Sequence, residues 1–244
     1  MKRGPRAPGP MGRHRCRRGP TASGRVRVWA SASAWAWVFC AGLALAESHA
    51  WAQGGAGPTA ASPALPSDLA IVSASQWGSE PPPQTVYRSR QHGVITGLTV
   101  HHQGETWQAG ADVAAYLRRL QQWSRRERAW VDVPYHYIVS PEGQVYAGRG
   151  LHWAGDSNTP YDTTGQVQVM LLGNFEHQQP SAAQLQATAQ LLGQLMAAYG
   201  LAPQHIVGHR HHSHQTVCPG AHLMSVFEDL RAQATAMRAT LVPR

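Results

Sequence analysis

The chain has 244 residues, room for one catalytic-sized domain with extensions. Its 21 Lys and Arg against 13 Asp and Glu give a formal charge of +8, but nine of the basic residues lie in the first 27 positions; from Gln53 onward 12 basic residues face 12 acidic ones. A nucleic-acid-binding domain carries its excess charge in the folded part, so no nucleic-acid partner is expected, and the composition is too apolar for disorder throughout.

The basic leader is followed by 19 uncharged residues, Val28 to Ala46, and by small-x-small sites at Ala44-Leu45-Ala46 and Ala50-Trp51-Ala52. Residues 1–52 are therefore expected to be a secretory signal peptide, or a signal anchor, since the run approaches the ~20 residues that span a bilayer. Positive charge on the leading side sends the remainder outward. The expected location is periplasmic or extracellular, free or anchored to the inner membrane, with the membrane touched only through an uncleaved anchor. Residues 53–68, rich in Gly, Ala, Pro and Ser, read as a flexible linker, and residues 69–240 as the folded domain.

Within the domain, VITGLTV (94–100) reads as a buried strand ending on His101-His102. Residues 112–128 place Val113, Tyr116, Leu117, Leu120 and Trp123 at helical spacing, with an arginine-rich face that reads as solvated. YHYIVS (135–140) and QVYA (144–147) flank Pro141-Glu142-Gly143, a hairpin signal. VQVMLL (167–172) is a further central strand. Ser181 to Gln184 is a capping box opening a helix to Tyr199, with Gly200 as its stop. HIVG (205–208) is a short strand, and residues 223–237 a closing helix. Alternating strands and helices imply an α/β domain with one sheet covered by helices.

Cys16 and Cys40 belong to the leader, so Cys218 stands alone in the exported domain. A lone thiol in an oxidising compartment is a nucleophile, a metal ligand or a buried filler. Twelve of 14 histidines follow residue 90, in two clusters at strand ends: His101-His102, and His209, His211, His212 and His214. One histidine from each cluster with Cys218 meets the requirement of a catalytic zinc, three protein ligands and an open fourth position.

These motifs, taken in order, resemble the peptidoglycan recognition protein and zinc-dependent N-acetylmuramoyl-L-alanine amidase family (amidase type 2). The resemblance runs through Ile71 to Gly78, Val100-His101-His102, Val131 to Tyr137, Gly143 to Gly150, Leu172-Gly173-Asn174-Phe175, Pro180 to Leu185, Gly208-His209-Arg210 and Thr216 to Gly220. It implies a single α/β domain with a central mixed sheet flanked by helices and a zinc groove at the strand ends. It implies His101, His209 and Cys218 as ligands of Zn2+, Tyr135 as the catalytic tyrosine orienting water or stabilising the tetrahedral intermediate, and Thr216 beside the reacting centre. The implied reaction cleaves the amide between N-acetylmuramic acid and L-alanine in peptidoglycan or muramoyl-peptide fragments. Binding-only members typically lack the cysteine, which this chain keeps. The alternatives are a non-catalytic peptidoglycan-binding module and a zinc peptidase acting on the stem peptide. A monomer is expected.

The chain departs from the family in places. The stretch from His209 to Cys218 is one residue longer than is common, which leaves His211 as an alternative ligand; His209 is preferred because Gly208 and Arg210 frame it. His101 and His102 point to opposite faces of a strand, so only one can face the metal, and His102 and His136 read as hydrogen-bonded structural residues. Asp156 stands where the family often carries a histidine. Gln166-Val167-Gln168-Val169 replaces a more apolar pattern, without a functional account. Trp107, Trp153 and Tyr161 are candidates to line a glycan or peptide groove, with core packing as the plainer role. Arg149 is either a turn-stabilising residue or a carboxylate clamp for an acidic stem peptide.

Overall fold

In the computed structural model, residues 69–80 and 91–241 are described; the leader and linker assigned from the sequence lie outside them. Parallel pairing organises the sheet. β2 (Gly97–His102) pairs in parallel with β5 (Gln166–Leu171) along its whole length and, on its other edge, with β6 (Ile206–Gly208). β3 (Tyr137–Val139) runs parallel to β5 and antiparallel to its hairpin partner β4 (Val145–Ala147). β1 (Ile71–Val72), too short to carry a periodic signal, closes the edge parallel to β4. The order β1-β4-β3-β5-β2-β6 makes a mixed sheet, as the resemblance implies.

Side-chain alternation divides this sheet into two unlike faces. One presents Leu98, Val100, Val167, Val169 and Leu171 to helices α2 (Ala182–Tyr199) and α4 (Phe227–Leu241), which supply Leu191, Leu192, Leu195, Phe227 and Leu230. Burying each such aliphatic side chain contributes about 1.5–3 kcal/mol. On the other face Ile138 and Met170 pack with Val113 and Leu117 of α1 (Val113–Glu127) and with Trp77. Trp77 donates its indole N–H to the Ala147 carbonyl at 2.6 Å, tying the opening segment to β4. Thr99, His101 and Gln168 share this second face and are buried polar groups. Among the described residues no helix is long and apolar enough to cross a membrane.

The helix ends follow their caps. Asp112 accepts from the Ala115 N–H at 3.0 Å, Ser181 from the Gln184 N–H at 3.0 Å, and Gly200 adopts the left-handed conformation (φ 65°) that stops α2. The capping box is only half formed. Gln184 reaches away from Ser181 and donates instead to the buried carbonyls of Val139 (2.9 Å) and Leu172 (3.1 Å). The arginine face of α1 is solvated, with Arg118, Arg119, Arg126 and Arg128 exposed, while Arg118 also donates to the Trp77 carbonyl (2.8 Å) and the half-buried Arg125 to that of Val131 (3.1 Å). The closing helix is two: α3 (Ala221–Ser225) ends at Val226, whose backbone leaves helical geometry, and α4 then packs on α2.

His136 joins the hairpin to β5. Its Nδ1 accepts the Gln168 N–H at 2.8 Å, so Nε2 carries the proton and donates to the Trp153 carbonyl at 2.8 Å. Burial above all, with neighbouring His92, pushes its pKa down to about 3. Above pH 6.5 the ring is neutral folded or unfolded; below it the unfolded chain takes up a proton that the folded one refuses, so stability falls as pH drops towards 3. In His136→Gln, the slope of unfolding free energy against pH between 6.5 and 4.5 should lessen by about 1.4 kcal/mol per pH unit. An unchanged slope in urea titrations would show that His136 protonates freely in the fold.

Candidate metal centre

The site is built at the carboxyl ends of β2 and β6. Their register pairs Val100 with Gly208, so the residues that follow, His101 and His209, emerge at the same level. Cys218 reaches them because Gly208 has no side chain: a Cβ there would lie 2.7 Å from Pro219 Cδ. The Arg210 N–H donates to the Cys218 carbonyl at 2.8 Å, and the Cys218 N–H to Thr216 Oγ1 at 3.0 Å. His101, His209 and Cys218 are buried, and their ligating atoms all lie within 4.8 Å of one another.

One nitrogen of each imidazole is held by a hydrogen bond. His101 turns Nδ1 toward Cys218 Sγ, 3.6 Å away, while Nε2 makes a short hydrogen bond with Gln168 Oε1. His209 Nε2 lies 2.7 Å from Thr159 Oγ1 and 3.2 Å from Ser157 Oγ. Burial, followed by the facing His209, holds the His101 pKa well below the usual imidazole range; burial, then His212, lowers that of His209 to about 4. Burial pushes the Cys218 thiol up to about 12 against the opposing effect of the His102 N–H, 3.4 Å from Sγ. Without a cation the cluster is thus neutral at pH 7: two imidazoles with lone pairs and one thiol.

That donor set fits zinc. Nitrogen and sulfur ligands without a carboxylate suit a borderline-soft cation, and three of them leave the fourth position open. Tetrahedral arms of about 2.0–2.3 Å place ligand atoms roughly 3.3–3.8 Å apart, the range in which Sγ and Nδ1 lie. The alternatives from the sequence are drawn elsewhere. His102 Nδ1 accepts the Phe175 N–H at 3.1 Å, and His211, exposed, sets Nδ1 against the Gly208 carbonyl at 3.0 Å. The additional residue between His209 and Cys218 does not part them.

Over the cluster opens a cavity of about 170 Å³, bordered by Trp130, Tyr135, Asn158 and Thr216. It adjoins a second of about 440 Å³, walled by Tyr116, Arg119, Trp123 and Arg128, with Gln103, Trp130, Pro134, Tyr135 and Asn158 common to both. The Tyr135 ring lies 5.2 Å from that of His101. Its hydroxyl is held well above the usual phenol range by burial and then by Cys218, so it keeps its proton and can donate. Thr216 borders the cavity, and its hydroxyl also braces the Cys218 backbone.

The three residues expected to bind substrate do not border these two cavities. Arg149 is buried and spends its guanidinium on the carbonyls of Val133 (3.0 Å), Ala154 (2.6 Å) and Asp132 (3.1 Å) and on Asp156 Oδ2 (2.5 Å). These contacts are those of a loop staple. Asp156, at the position of the departed histidine, is its counter-ion. Trp107 packs edge-on against Tyr116, and its backbone N–H and carbonyl are both bonded by the Gln178 side-chain amide. Trp153 bridges to Gln91 and packs on His152. Tyr161 stacks on His212, with ring centroids 4.7 Å apart, and donates to Gln168 Oε1 at 3.1 Å.

Sequence reasoning passed over Gln168, Thr159, Ser157 and Trp130. Gln168 did leave a trace in the alternation Gln166-Val167-Gln168-Val169, which marks a central strand with one polar face. Ser157 and Thr159 left none, because their loop carries no period.

A mixed α/β sheet with an open-sided His/His/Cys cluster at its strand ends describes a class of candidate metal-dependent proteins. The profile of the N-acetylmuramoyl-L-alanine amidase family matches residues 91–221, and the chain belongs to that family. It is 31% identical over 159 residues to peptidoglycan recognition protein 1 of Bos indicus, spanning 65% of this chain and 82% of the relative. It is 30% identical over 183 residues to the N-acetylmuramoyl-L-alanine amidase of Homo sapiens, spanning 72% of this chain and 30% of the relative. A solved mutant of Drosophila PGRP-LB, in complex with tracheal cytotoxin, shares the fold with a TM-score of 0.55 at 25% identity, over 65% of this chain and 92% of that one.

If Arg149 is a staple, Arg149→Met takes the guanidinium away from the buried Asp156 carboxylate and from three backbone carbonyls. Urea unfolding should then show a loss of about 3–5 kcal/mol, with zinc uptake by the folded fraction preserved. Full stability together with weakened binding of a muramoyl-peptide would return Arg149 to the groove.

Proposed function

We propose that the chain is an exported zinc-dependent N-acetylmuramoyl-L-alanine amidase, cutting the amide between the lactyl group of N-acetylmuramic acid and the L-alanine of the stem peptide. The observation that carries this reading is the buried cluster of His101, His209 and Cys218 beneath an open cavity. Membership of the amidase family supports the reaction, and the basic leader with its apolar run supports export to where peptidoglycan lies.

When bound, zinc supplies Lewis acidity for the attacking water and the scissile carbonyl. His101, His209 and Cys218 would hold it, and Gln168 and Thr159 fix the two imidazoles by hydrogen bonds. Tyr135 retains its proton at neutral pH and donates to the oxyanion that develops as the carbonyl becomes tetrahedral. Thr216 holds the Cys218 backbone and lends the cavity wall a hydroxyl. The adjoining larger cavity, with Trp123 and Trp130 as apolar faces and Arg119 and Arg128 as cations, suits the remainder of a muramoyl-peptide.

The test incubates the full-length chain with purified peptidoglycan and a soluble muramoyl-peptide, with zinc or chelator. Mass spectrometry should find zinc-dependent release of stem peptides beginning with L-alanine. Cys218→Ala and His209→Ala should abolish release, whereas His211→Ala retains it. Intact substrate held by zinc-loaded protein identifies a binding module instead, and products with alanine still on muramate identify a peptidase. Tyr135→Phe should lower kcat by about 10²- to 10³-fold with little change in KM, the signature of a donor used in the transition state.

A further inference from the structure

We propose that Gln168 is a positioning residue that selects the metal-binding tautomer of His101, an inference that rests on reading His101, His209 and Cys218 as a zinc site. A neutral imidazole carries one proton, and whichever nitrogen holds it cannot coordinate. In His101 the nitrogen facing Cys218 is Nδ1, and the nitrogen facing Gln168 Oε1 is Nε2. An amide oxygen only accepts. The contact therefore draws the proton to Nε2 and leaves the Nδ1 lone pair directed at the cluster. Loss of the oxygen would let the proton settle on Nδ1, where it would occupy the ligand position.

The surroundings are arranged for this contact. Gln168 is wholly buried on the same face of the sheet as His101, on the neighbouring strand. Its side chain passes through space that only a glycine leaves: a Cβ on Gly155 would lie 2.6 Å from Gln168 Cγ. The Tyr161 hydroxyl donates to the same Oε1 at 3.1 Å, and the Tyr161 ring is set by its stack on His212, whose Nε2 lies 3.0 Å from Thr99 Oγ1. Gln168 Nε2 has no hydrogen-bond partner among the described residues. A glutamine serving only to satisfy the interior would not be left half-paired, whereas one present for its oxygen can be. Outer partners of this kind fix ring orientation and ligand basicity at metal sites.

Two measurements on the full-length chain test the assignment without using activity. Long-range ¹H–¹⁵N correlation spectra of the metal-free wild type should show His101 protonated at Nε2 and bare at Nδ1. Competition with a chromophoric chelator should show zinc dissociation constants raised about 10- to 100-fold in Gln168→Leu and near the wild-type value in Gln168→Glu, which keeps an acceptor oxygen. The visible spectrum of the Co²⁺-substituted Leu variant should change in parallel. A proton on Nδ1 in the wild type, or undiminished zinc affinity in folded Gln168→Leu, overturns the proposal. If that variant does not fold, the wild-type tautomer decides. Zinc bound with this tautomer but no amidase product removes the amidase reading alone; a wild type that takes up no zinc removes both.

Discussion

The parallel strand β6 ends with Gly208 level with Val100 of β2, ahead of the end of β2 at His102, and the candidate site hangs on that register. Because Val100 lies opposite Gly208, His101 and His209 leave the sheet as neighbours, with ring centroids 4.6 Å apart. The same glycine admits Pro219, and with it Cys218, into the gap. No local preference of the chain would bring together two histidines more than a hundred residues apart and a cysteine from a later loop. Hydrogen bonding along the parallel ladder does so, and the apolar packing of α2 and α4 behind the sheet keeps the ladder from shifting.

The two faces of the sheet then divide the work. Behind it the side chains are aliphatic and the helices cover them. In front, α1 covers Ile138 and Met170, while Thr99, His101 and Gln168 carry polar groups that must find partners because they are out of water. Apart from Gln168 Nε2 they find them in one another and in the loop and turn above: Thr99 with Gln166 (3.1 Å) and His212, and Gln168 Oε1 with His101 and Tyr161, while His209 meets Thr159 and Ser157. The result is a site whose outer partners come from strand β5, through Gln168, and from the loop that carries Ser157, Thr159 and Tyr161.

Burial also settles the electrostatics of the cluster. Desolvation disfavours charge on both imidazoles and on the thiol, so three potential ligands can share a small volume without repulsion until a cation arrives. The same logic explains Arg149. A guanidinium in the interior demands a carboxylate and carbonyls, and Asp156 with three backbone oxygens provides them. An arginine so engaged rigidifies the loop that leads to Ser157 and Thr159 and thereby acts on the site only at a distance.

Much of this was legible from one dimension. Period-2 and period-3.6 patterns, the caps at Asp112, Ser181 and Gly200, and the resemblance carried by ordered short motifs were enough for the longer elements, the fold class and the choice of His101, His209 and Cys218 as the candidate trio, because each depends on near neighbours in the chain or on motif identity. The break at Val226, the diversion of Gln184, the choice of His209 over His211 in the cluster, the withdrawal of Arg149, Trp107 and Trp153 from the cavities and the pairing of Gln168 with His101 were decided only by the tertiary structure. Each is a choice of hydrogen-bond or packing partner across many residues, and a buried polar group takes whichever partner the fold sets beside it, a quantity that local spacing does not encode.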